Sequence, residues 1–126
     1  MRLKIDTKDK FTVITPEEPI LSANMSAELM EYLHSYASLP VPHVILNAKN
    51  IQKIDAELLT KIMEVQQVFY NDNHSFVICE LAQEITQLME EMGLLDGMNI
   101  TPTESEAWDI VQMEEIEREL LRDMED

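Results

Sequence analysis

The chain has few of the residues on which covalent cross-links and phosphate-binding loops depend. Among its 126 residues are one cysteine, Cys79, and two glycines. A single cysteine cannot form an intramolecular disulfide, and the sequence gives no sign of an oxidising compartment. Phosphate-binding loops expose several backbone amides to their ligand and rely on glycine to do so. The sequence therefore excludes a glycine-rich phosphate loop and favours a cytoplasmic protein.

Long apolar runs are also missing. No stretch approaches the roughly 20 apolar residues that cross a bilayer. The first four residues, Met-Arg-Leu-Lys, do not begin the apolar core of a secretory signal. We therefore expect a protein that neither crosses a membrane nor is secreted.

Basic residues are scarce and unevenly distributed. Lys and Arg number 9 against 25 Asp and Glu, which gives a formal net charge of −16. Residues 1–53 hold six of each sign, whereas residues 54–126 hold three basic and nineteen acidic residues. Such a field repels phosphate backbones and anionic membranes and attracts basic protein surfaces. The sequence therefore predicts a protein partner and no nucleic-acid or membrane partner.

No arrangement of catalytic or metal-ligating residues can be assembled from the sequence. His34, His43 and His74 have no second ligand at metal spacing. Cys79 ends an apolar run and is expected to be a core side chain, and the acidic Glu80 beside it disfavours a thiolate. The many carboxylates fall on helix faces and ends, where solvation is the default role. We therefore expect a non-catalytic protein without metal or cofactor.

Apolar periodicity predicts alternating strands and helices in one domain. Two short runs separated by polar residues indicate an N-terminal hairpin, and continuous apolar runs further on indicate strands covered on both faces. The predicted strands cover residues 3–6, 11–14, 44–46, 75–79 and 98–100, and the predicted helices cover residues 27–37, 55–70, 85–92 and 103 onward. This order predicts an α/β fold: a small mixed sheet with an antiparallel N-terminal edge, a largely parallel remainder and four helices.

The last predicted helix changes its apolar phase. Its first stripe is interrupted by Glu114, and a second stripe then follows on another side of the helix. The first stripe contains Ala107, Ile110 and Val111, and the second contains Met113, Ile116, Leu120 and Met124. We therefore divide the chain into a domain at residues 1–113 and an acidic helical extension at residues 114–126. The extension is expected to be either a solvated acidic end or a helix that packs on a partner.

The junction between the third predicted strand and the second helix, at residues 44–59, resembles a STAS domain (sulfate transporter and anti-sigma-factor antagonist). In that family a hydrophobic strand is followed by an Asp-Ser-Ser/Thr-Gly-Leu helix start, and the first serine is phosphorylated. Here the sequence is Asp-Ala-Glu-Leu-Leu, beginning at Asp55. Residues 20–29, 84–94 and 103–107 also resemble the family's loop into its first helix, its third helix and the start of its last helix.

The resemblance implies a fold, a function and a binding surface. Antagonists of this family dock their helix start onto an anti-sigma factor that is also a serine kinase. Ala56 stands at the acceptor position and cannot carry phosphate, so no phosphorylation is expected there. The module is then either always competent to bind, which we favour, or held by the fixed charge of Glu57 in a state that resembles the modified one. Asp55 is also expected to cap the second helix, and Ser22 and Ser26 to cap the first. The partner-binding residues that the resemblance implies are Asn24, Met25, Asp55, Ala56, Glu57, Leu58, Lys61, Leu81 and Ala82.

Two functions from different classes follow. The favoured one is a non-catalytic regulatory domain that binds a protein as an anti-sigma-factor antagonist does, without the phosphate switch. The alternative is a scaffold module that forms a homodimer through the C-terminal helix and no longer uses the ancestral surface.

Overall fold

A computed structural model describes residues 1–124 of the chain and shows, within them, seven strands and four α-helices. The strands are β1 (Leu3–Thr7), β2 (Thr12–Pro16), β3 (Ile20–Leu21), β4 (Val44–Asn47), β5 (Lys53–Ile54), β6 (Phe76–Cys79) and β7 (Ile100–Thr101). The helices are α1 (Ser26–Ala37), α2 (Ala56–Asn71), α3 (Gln83–Glu91) and α4 (Glu104–Met124). Short 3-10 turns precede α1, at Ala23–Met25, and β7, at Leu95–Gly97.

Five strands form one mixed sheet in the order β1-β2-β4-β6-β7. β1 runs antiparallel to β2, with Ile5 opposite Ile14. The remaining neighbours are parallel, so that Ile45 lies between Val13 and Val77. β3 and β5 pair in parallel as a separate two-stranded ribbon. The predicted α/β fold, with an antiparallel N-terminal edge, a parallel remainder and four helices, is confirmed.

Helices cover both faces of the sheet, which is why its central strands are apolar along their length. Val44 and Leu46 of β4 point into a cluster formed with α1, α2 and α3. Ile45 points to the other face, where it meets Ala107 and Val111 of α4. The fold is therefore a sandwich of three layers, with α4 alone on one side of the sheet.

The last strand of the sheet lies later in the chain than predicted. The strand predicted at residues 98–100 is present with its bounds shifted, since β7 is Ile100–Thr101. Gln66 of α2 explains the difference: its Oε1 accepts from the Asn99 amide at 3.2 Å, and its Nε2 donates to the carbonyl of Phe76 in β6 at 3.1 Å. The Asn99 carbonyl still accepts from the Ile78 amide of β6 at 3.0 Å. Met98 is buried in the core against the helices. The side chain of Gln66 therefore replaces one hydrogen bond between the two strands, at the Asn99 amide, and leaves the next one in place.

Two helix ends follow their sequence signals. Gly93 has a φ of +72°, a conformation that favours glycine, and its amide and that of Leu94 close the end of α3 with hydrogen bonds of 3.0 and 2.9 Å. At the start of α4 the hydroxyl of Thr103 accepts from the amide of Glu106 at 3.2 Å and donates to its carboxylate at 3.1 Å. The predicted cap of α4 is therefore present.

The long α4 continues past the predicted domain boundary at residue 113. Ser75 donates to the Glu114 carboxylate at 2.7 Å, so the first turn beyond this boundary still contacts the sheet. Farther along, apolar side chains are exposed; Ile116 is 56% exposed and Met124 81%. The division between residues 113 and 114 stays a prediction. None of the helices within residues 1–124 combines the length and the apolar character that crossing a bilayer requires.

Candidate functional site

The predicted binding residues lie on loops and helix starts that the strand pairing brings together. β4 and β6 are parallel neighbours with Asn47 opposite Cys79, so the segments that follow them leave the same edge of the sheet. The β3-β5 ribbon, with Leu21 opposite Ile54, then places the 3-10 turn at Ala23–Met25 beside the start of α2. This arrangement brings two sequence-distant segments into one surface, which we call the α2-start surface and define as Asn24, Met25, Asp55, Ala56, Glu57 and Lys61.

Asp55 joins the two segments of this surface. Its Oδ2 accepts a hydrogen bond of 2.7 Å from the backbone amide of Ala23, and its own amide donates to the carbonyl of Leu21 at 3.0 Å. Asp55 occupies the N-cap position of α2 with φ −68° and ψ 141°, but its side chain makes no cap hydrogen bond to that helix. The prediction that its side chain caps α2 is therefore wrong. Its carboxylate instead fixes the turn before α1.

The first turn of α2 presents a small apolar group beside a carboxylate. Ala56 and Glu57 are both exposed, and the side chain of Glu57 is 68% exposed. Lys61, one turn later, has its Nζ 3.8 Å from the Glu57 carboxylate and 3.3 Å from the hydroxyl of Ser26. An exposed ion pair of this kind contributes little to stability. Glu57 is therefore available for contact with another molecule.

Leu58 does not belong to this surface. Its side chain is fully buried among the core residues of α2 and the sheet. Truncating such a side chain to alanine costs roughly 2–5 kcal/mol. The expectation that Leu58 contacts a partner is wrong, because helix geometry turns the third residue of α2 inward while Ala56 and Glu57 face outward.

The turn before α1 is held by side chains rather than by helix caps. The Ser22 hydroxyl donates to the side chain of Asn24, and Met25 packs partly against the core. Ser22 makes no side-chain cap hydrogen bond, and Ser26 is the first residue of α1, with its hydroxyl accepting from Lys61. The prediction that Ser22 and Ser26 cap the first helix is therefore wrong.

Leu81 and Ala82 form the turn into α3 and are both half-buried against the core. The carbonyl of Ala82 accepts from the amides of Ile85 and Thr86, each at 3.1 Å. α3 contacts β5, the strand directly before Asp55. The turn is thus hydrogen-bonded to the first residues of α3, and its two side chains pack partly against the core.

A polar cluster lies beneath this edge of the sheet. The buried amide of Asn47 donates to carboxylate oxygens of Glu80 at 3.1 Å and Glu104 at 3.0 Å, and its oxygen accepts from the Lys49 amide at 2.9 Å. Glu80 adopts a φ of +57°, which costs a residue with a Cβ about 1 kcal/mol. The amide of Asn47 therefore bridges two carboxylates of like charge, and by binding Glu80 it stabilises the strained residue that follows β6.

The cluster also sets the chemistry of Cys79. Burial, together with the negative charges of Glu104 and Glu80, raises the pKa of the Cys79 thiol to about 12. The side chain is fully buried, so the prediction of a core cysteine is confirmed. Sequence reasoning noted that Glu80 disfavours a thiolate, but it missed Glu104, which lies 25 residues later. Within residues 1–124, this cluster included, no three His, Cys, Asp or Glu side chains are grouped as a metal ion would require.

Fold and site together define the class of the protein: a small α/β module with a shaped surface of loops and one helix start at the carboxyl edge of its sheet. The model of the STAS domain family matches residues 2–107. The chain therefore belongs to the STAS domain family. No curated protein sequence matches it.

Solved structures share this fold at low sequence identity. A Thermotoga maritima protein described as an anti-sigma factor antagonist has a TM-score of 0.79 and 14% identity, with 87% of this chain and 94% of that chain covered. A variant of RsbS from Moorella thermoacetica has a TM-score of 0.71 and 21% identity over 89% of this chain and 96% of that one. The phosphorylated Bacillus cell fate determinant SpoIIAA has a TM-score of 0.63 and 14% identity, over 87% and 99%. At these identities the likeness shows the fold.

Proposed function

We propose that this chain is a non-catalytic regulatory domain that binds a protein partner through the α2-start surface, as an anti-sigma-factor antagonist does. The observation that carries the proposal is the exposed start of α2, where Ala56 and Glu57 stand beside a carboxylate, Asp55, that fixes the neighbouring turn. Membership of the STAS family supports a role in protein interaction. By the same likeness, the partner is an anti-sigma factor that is also a serine kinase.

The charge of the chain supports a basic partner. Near the site the signs are mixed, since Lys49, Lys53 and Lys61 lie among Asp55 and Glu57. The long-range field is set by the whole chain, whose formal charge is −16. Such a field accelerates encounter with a basic surface and weakens with salt, whereas individual carboxylates select the contact. We therefore infer that the net charge of the whole chain attracts the basic partner, and that Glu57 and its neighbours determine which partner binds.

The proposed binding does not depend on phosphate at the start of α2. Ala56 has no hydroxyl group, and Thr60 is the one hydroxyl-bearing residue at positions 50–61. The Thr60 hydroxyl donates to the carbonyl of Ala56 at 3.2 Å, a full turn into the helix. One carboxylate, that of Glu57, carries less charge than a phosphoester. The domain is therefore held in the binding-competent state.

Co-purification from the source cells with a charge-matched pair of variants tests this function. Glu57→Lys reverses a charge on the α2-start surface, whereas Asp9→Lys makes the same change in the exposed β1-β2 turn at the opposite edge of the sheet. We expect wild type and Asp9→Lys to recover a basic, kinase-like protein and Glu57→Lys to lose it. Equal recovery by all three proteins would show that this surface is not used. Asp55 is unsuitable as a first probe because its substitution also releases the Ala23 turn.

The exposed second stripe of α4 favours the scaffold alternative. Its side chains, Met113, Ile116, Leu120 and Met124, are more than half exposed, and so is the neighbouring Leu121. A homodimer would cover them. Sedimentation of the full chain and of Ile116→Ser/Leu120→Ser distinguishes the functions. A dimer that dissociates in the double variant would favour the scaffold, whereas a monomeric wild type would exclude it.

A further inference from the structure

A cleft lies at the end of the sheet where the parallel strands begin, and it is lined by basic side chains although the chain as a whole is acidic. His43 lies directly before β4 and His74 lies two residues before β6, so both stand at the edge opposite the α2-start surface. The distal half of α4 closes the cleft with Glu115, Arg118 and Arg122. Its volume is about 450 Å³, which is in the range of small-molecule sites.

The charge of this cleft differs from that of the surrounding chain. Residues 54–126 contain three basic side chains, Lys61, Arg118 and Arg122, and two of these three line the cleft. Glu115 is the one carboxylate among the lining residues. The cleft is thus a locally basic position on a protein whose formal charge is −16.

Two buried polar atoms of the cleft residues have no protein partner. Nη1 of Arg118 and Nδ1 of His74 are buried and make no hydrogen bond to any of residues 1–124. Buried polar groups in folded proteins are almost always paired, because leaving one unpaired costs about 1–3 kcal/mol. A guanidinium offers five N–H donors in a planar fork that fits carboxylate and phosphate oxygens. Nη1 itself has no exposed surface, so the other N–H groups of this fork, on a residue that lines the cleft, are the donors that suit an acidic ligand.

His43 supplies a second donor with a defined direction. Its Nδ1 accepts a hydrogen bond of 3.0 Å from the amide of Ser75, which assigns the proton of the neutral ring to Nε2. Nε2 is 3.8 Å from a carboxylate oxygen of Glu115, too far for a hydrogen bond. The Nε2–H group therefore remains available as a donor beside Arg118. Glu115 limits the negative charge that the cleft accepts.

We propose that this cleft binds a small molecule bearing a single carboxylate or phosphate group, held by Arg118 and Arg122 of α4 and by Nε2–H of His43. A carboxylate and a phosphate monoester share the oxygen atoms that this donor set recognises. Because the donors come from α4 and from the edge of the sheet, the bound ligand cross-links the two. It thereby slows amide exchange in the distal part of α4. The proposal is independent of the α2-start surface.

Separate titrations with inorganic phosphate and with acetate, each against sodium chloride at equal ionic strength, test this site. The readouts are the ring proton resonances of His43 and His74 and the amide exchange of residues 119–124. Wild type is compared with Arg118→Gln and with Arg2→Gln, which removes the same charge from an exposed position near the N-terminus. We expect saturable shifts of both histidines in wild type and Arg2→Gln, with at least about tenfold weaker binding in Arg118→Gln.

The two titrations also identify the ligand group: higher affinity for inorganic phosphate indicates a phosphate ligand, and higher affinity for acetate indicates a carboxylate ligand. Arg118→Lys keeps the charge without the planar fork; if Arg118→Gln does not fold, Arg118→Lys takes its place and is expected to bind more weakly than wild type. Two results would overturn the proposal: shifts that chloride reproduces at equal ionic strength, or unchanged affinity in the folded Arg118 variants.

Discussion

The carboxylate of Asp55 and the backbone amide of Ala23, 32 residues apart in sequence, form a hydrogen bond of 2.7 Å across the α2-start surface. This bond explains how the first turn of α2 and the turn before α1 keep one relative position without a helix cap at Asp55. A surface that binds a partner loses less conformational entropy when its parts are already fixed. In the proposed binding role, Asp55 therefore acts through the shape of the surface as well as through its charge.

Replacing Asp55 tests this structural role. We expect Asp55→Ala to lower the free energy of unfolding by about 1 kcal/mol, because one charge-assisted hydrogen bond at an exposed position is lost. The Ala23 amide should also exchange faster with solvent. Urea unfolding and amide exchange measure the two effects. Asp55→Asn keeps an acceptor oxygen and should retain much of the protection; unchanged exchange at Ala23 in Asp55→Ala would contradict this role.

Asn47→Asp should destabilise the fold in a pH-dependent manner. The substitution replaces an amide that donates to Glu80 and Glu104 by a third carboxylate, which repels both. We expect a loss of about 1–3 kcal/mol near neutral pH. The loss shrinks at low pH, where the introduced carboxyl group is neutral. Denaturant unfolding at several pH values measures it, with Asn50→Asp at an exposed turn position as the charge-matched control. Equal stability of the two variants would contradict the role assigned to Asn47.

The titration of His43 should make the fold less stable in mild acid. Burial lowers the pKa of His43, and Arg118 and His74 act in the same direction, whereas Glu115 opposes them. The unfolded state therefore binds a proton first, at a pKa of about 6.5. The loss of folding stability caused by His43 therefore grows as the pH falls below about 6.5. It becomes constant below the lowered pKa that His43 has in the folded state. Glu115→Gln should lower the pKa of His43 further; a pKa of His43 above 6.5 by NMR would contradict the burial argument.

Ala56→Ser should convert the α2 start into a phosphate acceptor. Ala56 is exposed at the first position of α2, where an introduced hydroxyl would be accessible. We expect the recovered partner kinase and ATP to add phosphate to this variant at position 56 and to leave residues 50–61 of wild type unmodified. Mass spectrometry of peptides measures the modification. Ala27→Ser introduces a hydroxyl at the start of α1 and is the control. Phosphate on wild type within residues 50–61 would contradict the absence of a switch.

Sequence patterns predicted the fold well because buried positions require apolar residues, which recur with the period of the strand or helix that carries them. Continuous apolar runs such as Val44-Ile45-Leu46 reflect a strand covered on both faces, and Gly93 and Thr103 carry local end signals. The bounds of β7 were missed because Gln66, a polar residue of α2, binds the Asn99 amide, which would otherwise pair with β6. A hydrogen bond between residues so far apart in sequence produces no periodic pattern of apolar residues from which it could be predicted.

The candidate site was less predictable for the same reason. Asp55 has the residue type and position of a helix cap, yet its partner is the Ala23 amide, which becomes a neighbour only when β3 pairs with β5. Helical spacing by itself places Leu58 on the inward stripe of α2 with Leu59 and Ile62, whereas the resemblance implied a partner contact; the spacing argument was the right one. The link from Asn47 to Glu104 requires the order of strands in the sheet. The resemblance indicated which segments belong to the candidate surface, and the fold determines which of their side chains are exposed.

The central claim is that the exposed start of α2 binds the partner, and the affinity of purified partner for the Glu57 and Asp9 variants tests it most directly. Isothermal titration would compare wild type, Glu57→Lys and Asp9→Lys at the same salt concentration. We predict that Glu57→Lys weakens binding at least about tenfold, whereas Asp9→Lys, with the same change in net charge, changes it much less. Equal weakening by the two substitutions would show that the overall charge, and not the α2-start surface, determines binding.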